Sequence, residues 1–145
     1  MMTAKHLRHV FSGLLVFCAA TSFSLAGGDA VAQEEPNCAE PSTQRDMNAC
    51  AALDYEKADK ELNVAYQQLR KKMSEWDKSA DAASKGAVDA LVAAQRAWVA
   101  FRDANCDVAG FQARGGSMEP MLVSSCLADM STKRAEELRT LSDGF

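Results

Sequence analysis

Between Thr43 and Trp76 the chain contains neither proline nor glycine. Its apolar residues return there at helical spacing: Met47, Cys50, Ala51, Tyr55, Ala58, Leu62, Ala65, Tyr66, Leu69 and Met73. Glu56, Lys57, Lys60 and Glu61 fall between them and mark a solvated face. An uninterrupted stretch of this kind predicts one long amphipathic helix to about Trp76. Thr43 begins it, with Asp46 three residues on, the spacing of a capping box.

The rest of the chain repeats the pattern in two shorter pieces. Residues 77–86 hold Asp, Ser, Lys and Gly, which suits a turn and a new helix cap at Ser84 or Asp81. A second helix is predicted through Val88, Leu91, Val92, Gln95, Trp98, Val99, Arg102 and Cys106, stopping near Gly110. The segment from Gly110 to Pro120 reads as a glycine-rich loop. A third helix follows through Leu122, Cys126, Leu127, Met130, Arg134, Leu138 and Leu141. Alternating β-branched runs do not occur after residue 33. The expected fold is all-α: a small antiparallel bundle of about three helices.

The N-terminus bears on composition. Lys5, His6, Arg8 and His9 precede an apolar run from Val10 to Ala20, then small residues, then Ala30-Val31-Ala32. Charged, apolar and small-x-small segments in that order describe a secretory signal peptide over residues 1–32, with Ser24-Leu25-Ala26 as a second cleavage option. The apolar run is short for a membrane span, so membrane contact is expected only through this segment. Cys18 follows Phe17 rather than a small residue, which argues against lipid attachment. Residues 33–41, with two prolines, read as an extended leader, and residues 42–145 as the helical domain.

Removing 32 of the 145 residues leaves 113. It takes two of the 16 basic residues and one of the 20 acidic ones, so the net charge moves from −4 to −5. It also takes one of the five cysteines and both histidines. Cys38, Cys50, Cys106 and Cys126 remain. An even count in an exported small domain implies two disulfides. Four cysteines allow three pairings, and sequence proximity favours Cys38–Cys50 with Cys106–Cys126.

The loss of histidine excludes much chemistry. Ser-His-Asp and Cys-His nucleophiles and histidine zinc sites cannot be built. The cysteines form no Cys-x-x-Cys pair, and Gly115-Gly116 is not followed by Lys-Ser/Thr as in a phosphate loop. No cofactor and no metal are expected, and an acidic chain is a poor candidate for nucleic acid. Carboxylate-pair catalysis needs no histidine, but no two acids stand out from an ordinary acidic surface. The reading is a non-enzyme.

Four polar residues sit in or beside the apolar stripes: Asp59 and Asn63 in the first helix, Gln95 and Arg102 in the second. Asp59, Asn63 and Tyr66 share one helix face, as do Gln95, Trp98 and Arg102. If Cys50 and Cys106 share a level, antiparallel geometry brings Asp59 near Arg102 and Asn63 near Gln95. We read these residues as a structural network that sets helix register rather than as a polar cleft.

Together the motifs resemble one family. Cys38, then Thr43-Gln44-x-x-Met47-Asn48-x-Cys50-Ala51 and Tyr55-x-x-Ala58-Asp59-x-x-Leu62-Asn63-x-x-Tyr66, are similar to the first half of the LprI-type lysozyme-inhibitor-like domain. Gln95-Arg96-Ala97-Trp98-x-x-Phe101-Arg102-Asp103-Ala104-x-Cys106, Gly115-Gly116-Ser117, Cys126, and Arg134 with Leu138 are similar to its second half. The resemblance covers about residues 38 to 141. It implies an exported, periplasmic or secreted, binding protein that blocks a host or competitor lysozyme, and it carries no catalytic residues over. The alternative is a non-inhibitory envelope-stability module. Oligomeric state stays open.

Many lysozymes are strongly basic, so an acidic chain favours encounter with them, and their cleft holds two carboxylates. Arg114, flanked by Gly115, Gly116 and Ser117, is the candidate partner-binding loop. The plainer reading of the same four residues is a turn and a cap for the third helix.

Overall fold

The computed structural model describes residues 35–145; the segment read as a signal peptide lies outside them, as do residues 33 and 34. Three helices follow in order: α1 (Gln44–Ser79), α2 (Ala87–Gly110) and α3 (Glu119–Ser142), with a single 3-10 turn at Phe111–Ala113 after α2. No described residue is in a strand. No described helix is long and apolar enough to cross a membrane.

α1 begins where its cap is encoded. The Thr43 side chain accepts the Asp46 backbone N–H at 3.1 Å, and its hydroxyl donates back to the Asp46 carboxylate at 2.8 Å. The helix runs three residues past Trp76, since nothing between Trp76 and Ser79 breaks it, and the Ala80 N–H closes on the Trp76 carbonyl. The leader is extended only in part: Cys38 to Glu40 turn, with the Asn37 side chain accepting the Ala39 N–H, as the chain bends toward its disulfide at Cys50.

Neither Ser84 nor Asp81 caps α2. Asp81 instead accepts the Ala83 and Ser84 N–H groups and closes a local turn. The cap residue is Gly86, at φ 116°, where only glycine sits without strain. The free N–H groups go to a carboxylate from the preceding helix: Asp77 accepts from Gly86, Ala87 and Val88 at 2.9 to 3.1 Å. The Val88 bond foremost, then that from Ala87, holds the Asp77 carboxyl below its ordinary 3.8. A lowered folded pKa adds stability that is complete above the unfolded value and is lost as the pH falls through the folded one. Asp77→Asn therefore lowers the thermal midpoint at neutral pH, and the gap to wild type closes in acid. A gap of equal size at pH 7 and pH 2.5 by thermal circular dichroism would contradict this.

Gly110 ends α2 without breaking it. Its φ of −64° is helical, and a Cβ there would lie 2.7 Å from Val123 Cγ2. Glycine is needed here for the approach of α3, not for a turn.

Consecutive helices are antiparallel, which makes α1 and α3 parallel to each other. At one end Gln44 meets Met121 and Asn48 donates to the Ser117 carbonyl. At the other, Lys72 donates to the Ser142 carbonyl and Trp76 meets Phe145 edge to face at 5.6 Å. The core comprises Leu62, Ala65, Leu69 and Met73 of α1, Leu91 of α2, and Ala135 and Leu138 of α3. Tyr66, Ala87, Val88 and Trp98 pack against it. Leu69 and Leu138 are sealed completely, each burial contributing about 2 kcal/mol.

Two disulfides staple the end where α1 and α3 begin. Cys38–Cys50 ties the leader to α1, and Cys106–Cys126 ties α2 to α3, each with Cα atoms 5.5 Å apart. This is the pairing that sequence proximity favours.

Candidate functional site

The four polar residues singled out in the sequence are placed by all three helices. Arg102 of α2 is 6% exposed. Its Nη1 donates to Asp59 of α1 at 3.3 Å and to the Ser131 hydroxyl of α3 at 3.2 Å. Its Nε donates to Asp103 at 2.9 Å. The guanidinium also lies between two rings, 5.5 Å from the Tyr55 centroid and 5.3 Å from that of Trp98, a favourable place for a cation.

Asn63 and Gln95 do not meet as expected. Asn63 donates to the carbonyl and the carboxylate of Asp59 and stays on its own helix. Gln95 accepts from Arg134 Nε at 3.2 Å. The Arg134 guanidinium also lies over the Trp98 ring, 5.8 Å from its centroid, and pairs with Glu137. Aligning α1 with α2 alone leaves Gln95 without its partner, which α3 supplies. Arg134 was visible in the sequence as a polar residue inside the third apolar stripe and as a residue of the family motif, with no partner indicated. Ser131 gave no signal, because a serine's partner depends on what packs over it.

Burial raises the Tyr55 hydroxyl above its ordinary 10.0, partly offset by Arg102. It is a neutral phenol at any physiological pH. Among the described residues every buried side-chain nitrogen and oxygen has a hydrogen-bond partner. The cluster's buried donors and acceptors are satisfied by one another, and its hydrogen bonds link all three helices. Among the described residues no group of three His, Cys, Asp or Glu side chains is arranged to hold a metal ion.

The loop after α2 is ordered by α3. Arg114 donates to Glu119 Oε1 at 2.8 Å, and its guanidinium lies 4.5 Å from the centroid of Phe111. The Gly115 N–H donates to Glu119 Oε2 at 2.7 Å, with Gly115 at φ 75°. That bond is the first cause of a lowered Glu119 pKa, with the Arg114 charge adding to it. Gly116 donates to the Ala113 carbonyl, and Asn48 of α1 holds Ser117 through its carbonyl. The Ser117 side chain does not cap α3; Met118 occupies the cap position and makes no side-chain bond there. The loop presents an arginine stacked on an exposed phenylalanine, Phe111 being 61% exposed.

Between α1 and α3 runs a shallow groove lined by Asp54, Lys57, Glu61, Ser125 and Asp129, among others. Its carboxylates are exposed at the rim, and no ring or histidine faces them.

Comparison with known proteins agrees with this architecture. The family model described as "Lysozyme inhibitor LprI" matches residues 36–138. An uncharacterized protein of Rhizobium meliloti (strain 1021) is 51% identical over 114 residues, 77% of this chain and 82% of the relative. A crystal structure of a DUF1311 family protein from Pseudomonas putida KT2440 superposes with a TM-score of 0.62 at 31% identity. That likeness covers 71% of this chain and 97% of the other. The four cysteines, the polar network, α1, α2 and all but the last turn of α3 fall within the matched span, and the chain belongs to the LprI lysozyme-inhibitor family.

Proposed function

We propose that this protein is exported, loses residues 1–32, and acts as a lysozyme-inhibitor-like binding protein that blocks a host or competitor lysozyme. The observation that carries this reading is the family match across nearly the whole helical domain. Both disulfides agree with an oxidising compartment outside the cytoplasm. A net charge moving from −4 toward −5 on processing favours encounter with a basic enzyme.

The contact surface we assign is the loop Arg114-Gly115-Gly116-Ser117 together with Phe111. Aromatic and arginine side chains dominate binding hot spots because they bury large area at low entropic cost. Here the pair is already stacked, and Glu119 holds the arginine in place, so little ordering remains to be done on binding. Arg114 offers several N–H donors beyond the one used by Glu119, suited to a carboxylate-bearing cleft.

A muramidase assay with residues 33–145 tests the reading. Inhibition at micromolar protein is expected, with Phe111→Ala and Arg114→Ala each weakening it by about tenfold. No inhibition of any lysozyme class at micromolar protein rejects it and leaves the non-inhibitory envelope module as the better account. Full inhibition by both loop variants rejects the assigned surface alone.

A further inference from the structure

Among the described residues, one hydrogen bond ties the stretch Arg114–Ser117 to a distant part of the chain. Its other hydrogen bonds close within residues 111–119. The Arg114, Gly116 and Glu119 N–H groups donate to the carbonyls of Phe111, Ala113 and Gly116. The Arg114 side chain and the Gly115 N–H donate to the Glu119 carboxylate. The exception is the Ser117 carbonyl, which accepts from Asn48 Nδ2 of α1 at 2.9 Å, across 69 positions of sequence.

Asn48 is itself oriented by a second amide. A carbonyl only accepts, so the nitrogen end of the Asn48 side chain must face Ser117 and its oxygen end must face elsewhere. Gln44, one turn earlier on the same helix, donates its Nε2 to that oxygen at 2.9 Å. The same nitrogen lies 3.8 Å from the Met121 sulfur, a second acceptor. The direction of the relay is therefore set from end to end: Gln44 donates to Asn48, and Asn48 donates to the loop. The Thr43 cap lies just before these two amides and the Cys38–Cys50 bridge just after them, so the turn that carries them is held on both sides. In the motif Thr43-Gln44-x-x-Met47-Asn48, helix capping accounts for the threonine alone. The relay accounts for the other two polar residues.

We infer that Gln44 and Asn48 are positioning residues for the binding loop, fixing its backbone from α1 so that Arg114 and Phe111 are presented in one geometry. The inference rests on this loop being the contact surface proposed above. A short loop with two adjacent glycines, one of them at φ 75°, has more backbone conformations open to it than its local bonds select. A bond from a helix removes some of these before a partner arrives, which lowers the ordering cost of binding.

Amide hydrogen exchange by NMR on residues 33–145 measures the positioning with no partner present. Asn48→Asp keeps the shape of the side chain and loses the donor. Gln44→Glu also keeps its shape, and it frees the Asn48 amide to turn away from Ser117. Glutamate in the first turn supports α1, so a role in helix stability alone predicts an unchanged loop in that variant. Exchange of the Gly115, Gly116 and Glu119 amides is expected to quicken about fivefold in both variants. The Gly86 and Ala87 amides, at the opposite end of the bundle, keep their rates. In the muramidase assay Asn48→Asp weakens inhibition about fivefold, and less than about twofold once Arg114 is already alanine, because the two act through one loop. Asn48→Ala does the same without adding a charge.

Loop exchange at the wild-type rate in Asn48→Asp overturns the proposal. So does equal quickening at Gly86 and Ala87, since the pair would then serve the bundle as a whole. An equal loss of inhibition with and without Arg114 overturns the route through the loop. A wild-type chain that inhibits no lysozyme rejects the function proposed above, and the exchange rates still decide the positioning.

Discussion

Arg102→Ala lowers stability by about 3 kcal/mol, which in a domain of this size shifts the thermal midpoint by about 10 °C. The loss does not come mainly from charge. Asp59 is 39% exposed and Asp103 56%, so both carboxylates regain water when the guanidinium goes, and their pairing is discounted accordingly. Two other consequences are larger. The plane between Tyr55 and Trp98 empties, leaving a gap that three helices cannot all close. Ser131, which is wholly buried, loses the partner its hydroxyl accepts from, and an orphaned buried polar group carries its full desolvation cost.

Two companion variants separate these causes. Arg102→Lys keeps the charge but not the planar fork or the stacking, and recovers only part of the loss. Arg102→Met fills the space without serving Ser131, and recovers a different part. Denaturant titration followed by circular dichroism measures all three. A midpoint for Arg102→Ala equal to wild type would remove the network from the account of stability.

Removing the Cys106–Cys126 bridge, as Cys106→Ala with Cys126→Ala, is the second large effect. A cross-link spanning 20 residues constrains the unfolded chain by about 3 kcal/mol. The native side adds to this: Cys106 is 0% exposed, at the crossing of α2 and α3 that Gly110 also depends on. The Cys38–Cys50 bridge spans 12 residues and joins the exposed Cys38 of the leader to Cys50, which is 8% exposed in the first turns of α1. Its removal costs less and leaves the bundle intact. Thermal scans of the two double variants rank them, and a larger loss from the Cys38–Cys50 pair would reverse this assignment. Mild reductant is also expected to open Cys38–Cys50 first, since Cys38 is exposed and Cys106 is not.

The two effects converge on one part of the molecule. Arg102 and Cys106 are a helical turn apart on α2, and both reach α3. α2 offers the core a single fully buried large aliphatic residue, Leu91, so its hold on the bundle depends on a disulfide, a clamped guanidinium and the Asp77 cap. That economy on the inner side goes with an unusually apolar outer side, where Phe101 and Val108 stand in water.

What could be read from the chain was whatever depends on neighbours within a few residues. The spacing of apolar residues in α1, the Thr43 cap, the gaps at 77–86 and 110–120, and the even cysteine count are local or countable. They set three helices, their order and two short-range disulfides. Asp59 near Arg102 was also within reach, because antiparallel packing of adjacent helices leaves few registers.

Only the tertiary structure decided which partner each polar group takes and which surface is left uncovered. Gln95 goes to Arg134 because α3 lies alongside α2 at that level. Asp77 caps α2 because the connecting turn folds back over the end of α1. Gly110 is a contact with Val123 although its backbone is plainly helical. Each choice depends on atoms from 9 to 39 residues apart in sequence that folding brings into contact, a length scale at which helical periodicity carries no information.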